Sequence, residues 1–248
     1  MTGAERIAAR SRAVTVGGLA VLVLLAWAFL LGGGGMGGSG MATMAMEPPG
    51  FAIILAMWWV MMIAMMVPSA APAILLYARV HRDRIDSSSP PPTAAFLLGY
   101  LACWLGFSGL AATAQTSLAR AANASPATMA IDSPIAAGLL LAAAGLYQLT
   151  PLKNACLGRC RSPAEFLVRH YRPAVAGAFR LGAIHGAYCV GCCWLLMALL
   201  FVGGVMNLAW IAALTLLVAA EKLLPKGEWI ARVAGVAMIL AGMALVAL

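Results

Sequence analysis

The sequence predicts an all-α integral membrane protein of about seven transmembrane helices, N-terminus inside and C-terminus outside. Three observations carry that prediction. Of 248 residues, 63% are hydrophobic and only 10% charged, whereas about a quarter of the residues in a soluble domain are charged. Seven stretches, 14–31, 51–78, 94–119, 134–152, 174–203, 207–224 and 229–247, reach or approach the roughly 20 apolar residues that cross a hydrocarbon core. With the N-terminus inside, every Lys and Arg except Arg120 falls on the cytoplasmic side, as the positive-inside bias requires. The net charge of +8 therefore follows topology. Lipid is the implied surrounding, and no nucleic-acid partner is assigned.

The chain divides into a signal-anchor helix with an outer loop, 1–50, and a six-helix membrane domain, 51–248. The first span follows Arg6, Arg10 and Arg12 and outruns the roughly 7–15-residue apolar core of a cleaved signal, so it reads as a retained anchor. Between Gly32 and Gly50 the chain holds eight glycines and Met36, Met41, Met44 and Met46. Glycine at that density makes a flexible loop. Thioethers in such a loop suit weak capture of a soft ion, or an apolar loop lying on the bilayer.

The second span carries Met57, Met61 and Met65 as an i, i+4, i+8 row, with Met62 and Met66 beside it. Such a stripe serves either adaptable packing or a thioether path. Pro68 and Pro72 each remove a backbone donor inside the same span. Spans three and four are rich in Ala and Gly, with Gly138, Ala142 and Gly145 suited to close helix approach. Cys103 and Gln115 read as structural, Gln115 bonding across helices.

The cytoplasmic loop 153–173 holds Cys156 and Cys160, four apart, so a helical turn brings both thiols to one face. Lys153, Arg159 and Arg161 beside them favour the thiolate. No second pair follows at zinc-knuckle spacing. Beyond Pro163, residues 165–172 fit a short amphipathic surface helix with Phe166, Leu167 and Val168 apolar.

The densest chemistry lies in the fifth span. His185, Cys189, Cys192 and Cys193 fall within nine residues, and positions three or four apart share a helix face. Soft thiolates and an imidazole converging in a membrane suit Cu(I), or less well Zn(II). Buried cysteine also serves as a small hydrophobe. Met197 and Met206 extend the soft-ligand series. Glu221 and Lys222, near the end of the sixth span, are either an intramembrane functional pair or an interface pair with a snorkelling lysine.

Four segments then resemble a known family: Trp58 to Pro68, Tyr147 to Pro163 with its two cysteines, Gly186-x-x-Cys189-x-x-Cys192-Cys193-Trp194-x-x-Met197, and Glu221-Lys222. The chain after residue 44 is similar to a bacterial family of predicted metal-binding integral membrane proteins. That family is a domain of unknown function whose members are sometimes labelled copper chaperones. The resemblance implies a multi-pass protein of the bacterial cytoplasmic (inner) membrane.

The leading expectation is a protein that binds or moves a soft metal ion, copper ahead of zinc. Its ligands are drawn from Met61, Met62, Met65, Met66, Met197, His185, Cys189, Cys192, Cys193, Cys156 and Cys160. A metal-delivery protein is the expected partner, and an oligomer is compatible with the pattern. No catalytic residue is assigned, and no nucleotide-binding loop of the form G-x-x-x-x-G-K-[ST] is present. One alternative is a membrane thiol–disulfide oxidoreductase using the Cys189/Cys192 pair. A further alternative is a carrier of haem or another hydrophobic ligand, with His185 as an axial ligand and Trp58 and Trp59 as a wall.

Overall fold

The computed structural model describes residues 3–32, 50–84, 92–121, 129–171 and 174–247. The methionine-rich loop with Met36, Met41, Met44 and Met46 lies outside them. Among the described residues the chain is helical, with no β-strand. The helices are α1 (Gly3–Leu31), α2 (Phe51–Arg84), α3 (Thr93–Arg120), α4 (Pro134–Gln148), α5 (Pro151–Arg161) and α6 (Pro163–His170). After these come α7 (Val175–Ala198), the single turn α8 (Leu200–Gly203), α9 (Leu208–Leu223) and α10 (Gly227–Ala247).

Five segments are long and apolar enough to cross a membrane: α1, α2, α3, α7 continued into α8, and α10. The pair α4–α5 adds a sixth if its 64° bend is counted within one span. The expected count of seven is thus not reached, for two physical reasons. Helix α9 has 16 residues, about 24 Å at 1.5 Å per residue, short of the roughly 30 Å core. The expected span 134–152 breaks at Leu149-Thr150-Pro151. The residue before a proline leaves the α region, the Thr150 hydroxyl accepts from Lys153 N at 3.3 Å, and Pro151 sits at the first helical position. Residues 153–173, read as a loop, are therefore largely the helices α5 and α6. In α6, Phe166 and Leu167 are buried as the amphipathic pattern requires, while Val168 faces outward.

Glycine sets how the bundle closes. A Cβ on Gly182 of α7 would overlap the Phe96 carbonyl of α3, and one on Gly99 of α3 would overlap the Phe179 carbonyl of α7. The two backbones therefore meet without side chains between them, as small residues allow in lipid. Gly138 and Gly145 of α4 meet Gly242 and Gly235 of α10 in the same way. The α3–α7 contact matters most for function, because it presses the cysteine-bearing face of α7 into the bundle. Helix α2 closes that centre from the other side, tied to α3 by Trp58 Nε1 donating to Gln115 Oε1 at 2.6 Å. Gln115 does bond across helices, and Trp58 is spent on that bond and on packing against Phe107 and Phe201.

Candidate functional site

Along α7 the buried positions are Ala178, Leu181, Gly182, His185, Gly186, Cys189, Cys192, Cys193, Leu196 and Met197. This is the 3–4 spacing of one helix face, and it carries all three thiols inward. Cys189, Cys192 and Cys193 are each only 1–2% exposed. All six cysteines are free.

The thiols converge on an amine. Lys222 Nζ, from α9, lies 2.9 Å from Cys189 Sγ, 4.0 Å from Cys193 Sγ, 3.9 Å from Met66 Sδ and 3.4 Å from Ser69 Oγ. Cys193 Sγ and Met66 Sδ are themselves 3.9 Å apart. The Tyr100 hydroxyl of α3 reaches Cys189 Sγ at 3.0 Å and the Met66 carbonyl at 3.2 Å. On α5, which packs against α7, Cys160 is half-buried against the same core. Four helices thus bring sulfur, one amine and one phenol to a common centre within the bundle.

The arrangement separates Cys192 from Cys193, which spacing alone leaves equivalent. Both thiols donate to the Cys189 carbonyl, at 3.1 and 3.0 Å. Cys193 lies against Lys222 and Met66, and no such contact is described for Cys192. Cys156 sits one turn from Cys160, its sulfur against the backbone of Gly191, where a Cβ would approach it to 3.1 Å. The two cysteine motifs, more than twenty residues apart in sequence, are neighbours in space.

Other sequence candidates stand apart from this centre. Met61, Met62 and Met65 are buried on α2 beside Met66, and Met197 is buried one turn beyond Cys193, yet Met66 alone has a described contact with the thiol–amine group. His185 is one turn before Cys189, in a ring of Phe96, Tyr100 and Phe166 with centroids 6.1, 5.9 and 5.4 Å away. Its Nδ1 has no hydrogen-bond partner.

The basic side chains near Cys156 and Cys160 also have partners of their own. Lys153 is buried on Glu221 at 2.6 Å, Arg161 donates to the Leu224 and Pro225 carbonyls at 2.9 and 2.5 Å, and Arg159 stacks over Tyr188 at 5.5 Å. Lys222 also departs from the snorkelling alternative. Its side chain turns into the bundle and is 7% exposed.

Tyr100 and Ser69 escaped the sequence reading. Tyr100 is one of four aromatics in an Ala/Gly-rich span, and its buried hydroxyl needs a partner. That is a weak signal. Lys222 left a stronger one. Adjacent helix residues point about 100° apart, so Glu221 and Lys222 cannot pair with each other and each requires a partner elsewhere.

Among the described residues, no group of three or more His, Cys, Asp or Glu side chains is disposed as a ready-made metal site. The cluster is instead a mixed one of thiol, thioether, amine and phenol. Residues 55–245 match the family PpoB2, described as a copper chaperone. The chain belongs to the PpoB2 family. The match takes in α2 from Leu55 to nearly the end of α10, and with it every residue of the thiol–amine centre. No curated protein and no solved structure matches the chain.

Proposed function

We propose that this PpoB2 member binds Cu(I) as cargo at the centre formed by Cys189, Cys193 and Met66, with Cys160 and Cys192 as the neighbouring acceptor pair. The single observation behind the proposal is the convergence of Cys189, Cys193 and Met66 sulfurs around Lys222 Nζ. Soft thiolate and thioether donors select Cu(I) over hard ions. Net charge selects it over Zn(II). One Cu(I), two thiolates and one ammonium sum to zero (+1 − 2 + 1), which a low-dielectric interior tolerates. Zn(II) with the same groups leaves +1 uncompensated and is therefore held more weakly. Lys222 is therefore the counter-charge of the loaded site, and Tyr100 stabilises the Cys189 thiolate by a hydrogen bond.

The acceptor pair lies across the packed α5–α7 contact from the Cys189/Cys193 centre, a short route for transfer. The basic end of the bundle, with Arg159 and Arg161, faces the cytoplasm of a bacterial inner membrane under the positive-inside bias, where a metal-delivery protein would meet it. A dithiol oxidoreductase fits less well. Cys189 and Cys192 are almost fully buried, and exchange with a protein partner needs an accessible sulfur.

The test is copper content after anaerobic loading with Cu(I) and removal of excess by a competing chelator. Wild type retains about one equivalent; Cys189→Ser/Cys193→Ser retains a small fraction of that. Equal retention by both proteins removes the proposal.

A further inference from the structure

A second group of sulfurs stands apart from the thiol centre. Met57 and Met61 of α2 and Met206 of the α8–α9 connection line a cavity of about 20 Å³, closed by aliphatic side chains including Leu30 of α1 and Ile211 of α9. Each of these four elements brings a thioether or a hydrocarbon side chain, and what polar surface lines the space is backbone. Met57 and Met61 are 3% and 1% exposed.

The size and the lining together restrict what belongs there. A hole of about 10–15 Å³ holds one water, and that water needs two to four polar partners. The volume is enough for a single water or ion, but the side chains offer a water nothing to bond. Methionine is the side chain best able to adapt to an irregular gap, and three of them line this one. What they have in common is a neutral, polarizable sulfur, the donor that suits Cu(I) and its relatives and repels hard ions by default.

We infer that Met57, Met61 and Met206 form a three-thioether site for a soft monovalent cation, Cu(I) in the cell and Ag(I) as its probe. Three neutral donors leave the ion's charge uncompensated, so this site holds the ion more weakly than the thiolates do. Thioethers carry no proton to lose, so binding here is independent of pH, in contrast to a thiolate site. Met61 and Met66 are five residues apart on α2, about 7.5 Å along the axis and about 140° around it, so this site and the thiol centre lie on different faces of that helix. The identity of the physiological ion rests on the copper reading above; the existence of the site does not.

The experiment uses full-length protein in detergent, labelled with ¹³C at the methionine methyls and titrated anaerobically with Ag(I). Single Met→Leu variants at 57, 61 and 206 assign the resonances. Leucine keeps the volume at a cost of less than about 1.5 kcal/mol, and retention of the remaining methyl spectrum shows that each variant is folded. The expected result is a shift of the Met57, Met61 and Met206 methyls with Ag(I), persisting in Cys189→Ser/Cys193→Ser. Met57→Leu/Met206→Leu should lose about tenfold or more in affinity for this second equivalent while keeping the first. If the Met66 methyl moves and these three do not, the thioether site is wrong and the thiol centre stands. If the three move while Cys189→Ser/Cys193→Ser retains as much copper as wild type, the thiol centre is wrong and the thioether site stands. Shifts that survive unchanged in Met57→Leu/Met206→Leu overturn the site.

Discussion

Two lysines lie inside this bundle, and their surroundings are opposite. Lys153 is fully buried and meets Glu221 Oε2 at 2.6 Å, while the other Glu221 oxygen accepts from Gln148 Nε2 at 2.7 Å. That is a closed pair, tying α5 and α4 to α9. Lys222, the very next residue of α9, has two thiols, a thioether and a serine hydroxyl around its amine. A buried ammonium without an anion is costly, so a structural lysine is given a carboxylate and this one is given sulfur. Carboxylate pairing spends the charge on architecture. Sulfur pairing leaves it available to balance a ligand.

The comparison can be broken from either side. The largest effect is expected at Glu221. Glu221→Ala leaves Lys153 buried and unpaired, and loss of one partner of a buried pair costs about 3–5 kcal/mol. Thermal unfolding in detergent should show this as a large fall in midpoint and yield. Lys153→Met/Glu221→Leu, which removes both charges at once, should recover most of that loss. Its failure to recover would mean that the pair does more than hold helices together.

Lys222→Met is expected to behave in the other way. It keeps the side chain's volume and removes the charge, so the fold should persist while Cu(I) affinity falls about 10- to 100-fold, the range for groups that support a metal site from outside its ligands. Competition with a chromophoric Cu(I) chelator measures it. A collapsed fold would make Lys222 structural, like Lys153, and an unchanged affinity in a folded variant would remove it from the site. Tyr100→Phe should act in the same direction and more weakly, by roughly 1–2 kcal/mol or up to about 30-fold, because one hydrogen bond to a charged group is worth about that. The smallest effect marks the scale. Glu165 and Arg169 pair at 2.9 Å on the exposed face of α6, with side chains 60% and 63% exposed. Glu165→Ala should cost no more than about 0.5 kcal/mol, as exposed i, i+4 pairs do.

The inward face of α7 was legible in the sequence because helical periodicity is local. Spacings of three and four put His185, Cys189, Cys192 and Cys193 on one side, and the structure buries all of them. The break at Leu149-Thr150-Pro151 was legible too, from the threonine cap and the proline, but the hydropathy of the segment masks it. The short reach of α9 was partly hidden for a similar reason, since apolar composition continues past both its ends. Which sulfur faces which partner was not legible. Cys192 and Cys193 differ by one residue, and only the positions of α2 and α9 around α7 bring Cys193 against Met66 and Lys222.

By itself, the sequence determined that this chain is a helical bundle rich enough in apolar residues for a membrane, with sulfur on the buried side of two of its helices. Those properties follow from composition and from a 3.6-residue period, which any short window contains. The tertiary structure alone decided that Glu221 and Lys222, neighbours in the chain, serve different ends. Glu221 faces Lys153, and Lys222 faces the thiols, because successive side chains on a helix diverge by about 100° and the helices packed on each side of α9 supply a cation to one and sulfur to the other.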